Sequence, residues 1–219
     1  MIQGVPGAAR AGNQSVAMNR LRMIVGLGNP GAEHLRTRHN AGFWLVDSLA
    51  LQEQVRFGIE SKLHAETARL SYHGDPLLLL KPITYMNKSG IAIASALRYY
   101  KIEPEEMLIV HDELDLPPGS ARLKFDGGHG GQNGMRDIVA HLGHGRFHRL
   151  RIGIGHPGHK DRVTSWVLGR PSARDEQAIL VAIGNALDVL PLAVGGDFNE
   201  AMKRLHTERE TGMGNGESK

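Results

Sequence analysis

A short apolar run that breaks on glycine and proline constrains this chain more than any other stretch. Met23-Ile24-Val25-Gly26-Leu27-Gly28-Asn29-Pro30-Gly31 reads as a buried strand ending in a tight turn. Thr37-Arg38-His39-Asn40-Ala41-Gly42 follows a few residues later and leads into an amphipathic segment of helical spacing, Ala41 to Gln54. Asn29 thus stands where a strand ends and a loop opens, and His39 stands at the entrance of a helix. The ordinary pKa of histidine lies near neutrality, which makes His39 a candidate proton handler. Gly26, Gly28 and Gly31 also fit the G-x-G-x-x-G pattern of dinucleotide binding. That pattern wants an acidic residue at the end of a second strand about 20 residues on. The nearest one, Asp47, falls inside a helical pattern.

The rest of the chain repeats the alternation of apolar runs and helical segments. Leu63 to Tyr72 and Pro76 to Lys81 flank His73-Gly74-Asp75, a hairpin signal. Leu77 to Leu80 is apolar throughout, as in a central strand covered on both faces. After Pro82, the segment Ile83 to Gly90 leads into a helix reaching about Tyr100, with Met86 and Asn87 near its start. Met107 to Val110 is the next buried strand, and it runs into His111-Asp112-Glu113-Leu114-Asp115. Carboxylates at the C-terminal end of a core strand lie where open α/β sheets hold their sites. Asp112, Glu113 or Asp115 is placed to orient the His39 ring, and spacing does not choose among them. No tight ligand spacing in this cluster supports a metal.

Ser120 to Lys124 reads as a short strand with Arg122 and Lys124 on one side. Asp126-Gly127-Gly128-His129-Gly130-Gly131-Gln132-Asn133-Gly134 then exposes backbone N–H groups ahead of a helix from Met135 to Leu142, whose N-terminus favours anions. A strand at Phe147 to Gly155, a short piece at Val163 to Leu168, and helices at Ala173 to Leu190 and Phe198 to Arg209 follow. The 219 residues fit one domain over residues 23–210. Residues 1–22 carry no acid and many small side chains, as in a leader; residues 211–219 form a polar tail.

Composition removes several chemistries. With no cysteine, disulfides, thiolate catalysis and cysteine-ligated zinc are excluded. No stretch is expected to span a membrane, because the most apolar helix, Ala178 to Val194, is interrupted by Asn185, Asp188 and Pro191. The net charge is only +3, but nine Lys and Arg against three Asp fall between Gly119 and Arg170. Such a concentration points to a polyanion, of which nucleic acid is the commonest.

Four blocks can be read together: Gly26 to Gly31 with Thr37 to Asn40; Met86-Asn87 with Ser89-Gly90; His111 to Asp115 with Pro117-Pro118-Gly119; and Gly127 to Gly131 with Asn133-Gly134. With Phe147 to Gly155, they closely resemble bacterial-type peptidyl-tRNA hydrolase, in order and spacing, from about Leu21 to His206. The resemblance implies a monomeric, cytoplasmic, single-domain α/β protein with a mixed twisted sheet flanked by helices. It implies cleavage of the ester joining a peptide to the 3′-terminal ribose of tRNA, with no cofactor, no metal and no membrane. Motif by motif, it implies His39 as the catalytic histidine, Asp112 as its partner, and Asn29, Asn87 and Asn133 as site asparagines. Asn87 is the first choice for donating to the developing oxyanion. Met86 is implied to line the peptide site, and Lys124 and Arg151 to clamp the tRNA 5′-phosphate. His34 stands at a substrate-site position where the family usually has tyrosine, and Gln132 where histidine is frequent. Neither departure is expected to touch His39 or Asp112.

Overall fold

The computed structural model describes residues 20–207. Most of the expected leader and all of the expected tail lie outside them. Seven strands among these residues form one sheet: β1 (Met23–Gly26), β2 (Gly58–Glu60), β3 (Ala65–Tyr72), β4 (Asp75–Pro82), β5 (Met107–Glu113), β6 (Ala121–Phe125) and β7 (His148–Gly153). Their order is β2-β3-β4-β1-β5-β7-β6. The four central strands run parallel, while β2, β3 and β6 pair antiparallel at the edges. The α/β class and mixed sheet expected above are those observed.

Period-2 alternation sorts the side chains into two cores. Ile24, Leu79, Leu108, Val110, Leu150 and Ile152 point to one face, against helices α1 (Ala41–Gln52), α5 (Ala173–Val194) and α6 (Phe198–Thr207). Met23, Val25, Leu78, Leu80, Met107 and Ile109 point to the other, against α2 (Ser89–Tyr100) and α3 (Asn133–Leu142). A short helix, α4 (Val163–Val167), closes one end. The chain is tied to the fold before β1 begins: Leu21 is buried, its N–H bonds Val194 O, and Arg20 pairs with Asp75.

The glycines after β1 serve packing. A Cβ on Gly26 would stand 2.4 Å from Gly42 O and 2.7 Å from a Val46 methyl, and one on Gly28 would enter the Phe43 ring at 2.7 Å. α1 therefore rides directly on the β1 turn, filling the space a pyrophosphate would need, and Asp47 is bound to Lys81 at 2.8 Å. The dinucleotide pattern is thus explained without a nucleotide.

Three differences have physical causes. β2 was not legible because three mostly exposed residues make too short a pattern. β5 runs on through Glu113, three residues past the apolar run, because its acidic end is buried by pairing with β7 rather than released as a loop. The expectation about membrane length is corrected: α5 continues past Pro191 to Val194, and its most apolar 18-residue window has a mean hydropathy of 1.8, enough by length and composition to cross a bilayer. Half of that window is buried within the molecule. Ile179, Ala182, Ile183, Ala186 and Leu190 lie in the core beneath the sheet, which accounts for the hydropathy.

Candidate active site

The carboxyl ends of β1 and β5 open into a cavity of about 300 Å³. His39 enters from a single 3₁₀ turn, Arg38–Asn40, just before α1. Its Nδ1 meets Asp112 Oδ2 at 2.8 Å. Both side chains are buried, and both line the cavity. Glu113 and Asp115 do not take this place. Glu113 pairs with Arg151 at 2.8 Å and accepts from Asp115 N.

The second oxygen of Asp112 accepts from Gln132 Nε2 at 3.0 Å. This corrects the expectation that the Gln132 departure stays clear of the pair. Gln132 also accepts from Met135 N at 2.7 Å, capping α3, and lies 3.2 Å from Met86 Sδ. One amide thus joins the glycine loop, the helix and the acid. Burial pushes the Asp112 carboxyl up, but the His39 charge, the His39 hydrogen bond and the Gln132 hydrogen bond outweigh it, and the net shift is downward. Burial also pushes His39 down, and the charge and hydrogen bond of Asp112 carry it upward overall. With Nδ1 held by the acid, Nε2 is the ring nitrogen left to the cavity.

The asparagines fall into different roles. Asn29 is buried and held fast. Its Oδ1 accepts from Met86 N at 2.8 Å, while Asn40 brackets its backbone with bonds of 2.8 and 3.0 Å. Only the Asn29 side-chain N–H groups remain for a ligand. Asn87 lies in the 3₁₀ turn Met86–Lys88, exposed on the cavity wall, with no hydrogen-bond partner among the described residues. Asn133 opens α3, lines the cavity, and accepts from Arg136 at 3.2 Å. Met86 is largely buried in the wall of the cavity, which it lines, and its sulfur fills the space beside Gly134. His34 does not line the cavity; it sits outside with Nε2 3.6 Å from Glu33.

The basic window is mostly spoken for. The Arg149 guanidinium is buried against the carbonyls of Gly127, Gly128 and Gly145, so the glycine-rich loop is pinned in place. Arg146 pairs with Glu105, and Arg151 with Glu113. Lys124 is exposed on β6, paired in register with Arg149 and diagonal to Arg151 on the same face. No group of three or more His, Asp or Glu among the described residues is placed to hold a metal ion.

Asn40, Arg149 and the second bond of Gln132 were not singled out from sequence. Asn40 carried a signal, since it completes the block that holds His39; the others depend on tertiary contacts between segments far apart in the chain.

Fold and cavity together define an α/β protein with a buried histidine–carboxylate pair at the carboxyl edge of its sheet. The family model for peptidyl-tRNA hydrolase matches residues 23–212. Peptidyl-tRNA hydrolases of Xanthomonas euvesicatoria and Stenotrophomonas maltophilia are 64% and 65% identical, each over 88% of this chain and the whole of the relative. The crystal structure of the Acinetobacter baumannii peptidyl-tRNA hydrolase superposes with a TM-score of 0.83 at 47% identity, over 85% of this chain and 95% of that one. The chain belongs to the peptidyl-tRNA hydrolase family.

Proposed function

We propose that this enzyme hydrolyses the ester between a peptide and the 3′-terminal ribose of tRNA, with His39 as general base for a water nucleophile. The observation that carries the reading is the 2.8 Å contact between His39 Nδ1 and Asp112 on the floor of an asparagine-lined cavity. Asp112 fixes the tautomer, so neutral Nε2 takes the proton as water attacks the carbonyl, and returns it to the leaving ribose oxygen. The unpaired amide of Asn87 donates to the developing oxyanion, a contribution of about 3 kcal/mol for such a donor. Asn29 offers N–H groups to a peptide carbonyl, and Asn133 reads the chain beside it, so a blocked peptide is favoured over a free aminoacyl group. Lys124 and Arg151 face the 5′-phosphate of the tRNA. Arg151 is already shared with Glu113, so Lys124 supplies the larger part of the attraction. The enzyme acts as a cytoplasmic monomer on peptidyl-tRNA, with no membrane involved and no cofactor or metal.

The test is deacylation of N-acetylaminoacyl-tRNA beside the unblocked form. Release from the blocked substrate alone, lost in His39→Ala, supports the reading. Binding without turnover by the wild type overturns it in favour of an RNA-binding relative. Lys124→Ala raises KM for whole tRNA more than for an ester lacking the 5′-phosphate; equal effects on both remove the clamp.

A further inference from the structure

α4 has two sides. Val163, Thr164, Val167 and Leu168 line the catalytic cavity, while Arg162, Ser165 and Trp166 turn to a second cleft of about 400 Å³ on the reverse side. Arg38 and Arg170 complete that cleft. Arg38 is 5% exposed and immovable: it stacks 3.7 Å over the Trp166 ring and donates to the carbonyls of Trp166, Gly169 and Arg170 at 3.3, 3.4 and 2.9 Å. Its Nη2 stands 3.5 Å from Asp175, and its Nε is buried without a partner. Trp166 is fixed in turn by its Nε1 bond to Gly155 O. On this rigid base Arg162 and Arg170 are exposed, and neither has a carboxylate partner among the described residues. Elsewhere in the basic window Arg146 and Arg151 are neutralised by acids and Arg149 is buried by carbonyls, whereas these two arginines stand together at one cleft without an acid partner.

We propose that the cleft behind α4 is a phosphate subsite for the single-stranded 3′ end of the tRNA, with Arg162 and Arg170 holding a backbone phosphate upstream of the terminal ribose. The assignment rests on the function proposed above, because it takes the ester to lie on the other side of α4. A helix with its side chains is about 10–12 Å across, so a strand leaving the cavity reaches the rear cleft after roughly two or three nucleotides. Guanidinium pairs suit phosphate oxygens through bidentate, charge-assisted bonds. The charge is also net positive, since Asp175 offsets only Arg38. This subsite is distinct from Lys124, which lies on the far side of β7 at the sheet edge and faces the other end of the tRNA.

Two N-acetylaminoacyl esters decide the matter, one on the trinucleotide CCA and one on adenosine alone, each tested with wild type and with the double variant Arg162→Ala, Arg170→Ala. The expected result is a rise in KM about tenfold greater on the trinucleotide than on adenosine, and a salt dependence of log(kcat/KM) shallower by about 0.7, the slope of one single-strand phosphate contact. Losses of equal size on the two esters, or none on either, overturn the subsite. If the wild type cleaves neither ester nor whole N-acetylaminoacyl-tRNA, the reading of the function fails instead. A separate titration still judges the cleft: in a Trp44→Phe background, Trp166 fluorescence responds to free CCA and not to adenosine. Loss of that response in the double variant supports the subsite; an identical response without the two arginines overturns it.

Discussion

Two histidines in this molecule are almost equally buried and titrate in opposite directions. His39 is 6% exposed beside Asp112, and its pKa is raised. His148 on β7 is 4% exposed, its ring stacked flat on Phe198 of α6 at 3.5 Å, and its pKa is pushed down to about 4. Burial acts downward on both. What separates them is a carboxylate within hydrogen-bond reach in one place and an aromatic ring in the other. His111 sharpens the point. It adjoins Asp112 in the chain, yet its Nδ1 bonds the Asp112 backbone carbonyl, and its pKa is lowered by burial. The charges of Asp112 and Glu113 push His111 up, but without contact with the charged oxygens burial outweighs them.

The comparison breaks most visibly in turnover. His39→Ala lowers kcat on N-acetylaminoacyl-tRNA by about 10²–10⁴-fold, the usual worth of a general base. His148→Leu, equally buried and far from the cavity, leaves kcat as it is. Comparable losses in both variants mean that the activity tracks fold integrity and not the base.

Asp112→Asn tests what lifts His39. Because His39 must be neutral to accept a proton, the acid limb of kcat/KM lies above the ordinary histidine value in the wild type. Without the charge, burial alone remains, so the limb moves to lower pH while the plateau falls by on the order of 10²–10⁴-fold. A limb that stays put would remove Asp112 as the cause of the shift.

Stability separates the two histidines next. His148 takes up its proton at about 4 when folded and near 6.5 when unfolded, so the fold loses stability as pH falls through that interval. The full loss is on the order of 3 kcal/mol, reached below the folded value. The His39–Asp112 pair runs the other way on its histidine side. Its stabilisation is complete below the ordinary histidine pKa and fades as pH rises through the raised one. On its aspartate side it persists down to the depressed Asp112 value. Urea midpoints between pH 7 and 4 should flatten in His148→Phe. An unchanged slope in that variant assigns the acid sensitivity to other groups.

Legibility in the sequence follows the range of the interactions. Uninterrupted apolar runs in β1, β4 and β5 foretold those strands, because burial on both faces favours apolar residues there, and the alternation of Arg149 and Arg151 with Leu150 and Ile152 foretold β7. Residue spacing alone left Asp112, Glu113 and Asp115 open. The pleat decides among them, because Glu113 falls on the face that carries Arg151 and Asp112 on the other. The glycines of the first turn were readable as a close approach, but not what approaches, since α1 and a phosphate demand the same missing Cβ. Gln132 was hardest to read, because its partners Met86 and Asp112 come from the β4–α2 connection and from strand β5, and only the assembled sheet brings them together.

Gln132 also supplies the smallest expected effect, and one that separates its two duties. Its Oε1 caps α3, and its Nε2 bonds Asp112. Gln132→Ala removes both, costing about 1 kcal/mol of stability from the cap. It also removes one of the bonds that hold the Asp112 carboxyl down, so the carboxylate becomes more basic, holds the His39 proton more tightly, and the acid limb is displaced further above the ordinary value. Gln132→Ser keeps a good cap residue, but its side chain is too short to span to the acid. Urea unfolding should therefore recover in the serine variant while the displaced acid limb does not. If stability and limb recover together, Gln132 acts on Asp112 only by holding α3 in place, and the upward push on His39 belongs to the aspartate charge without influence from the bond at its second oxygen.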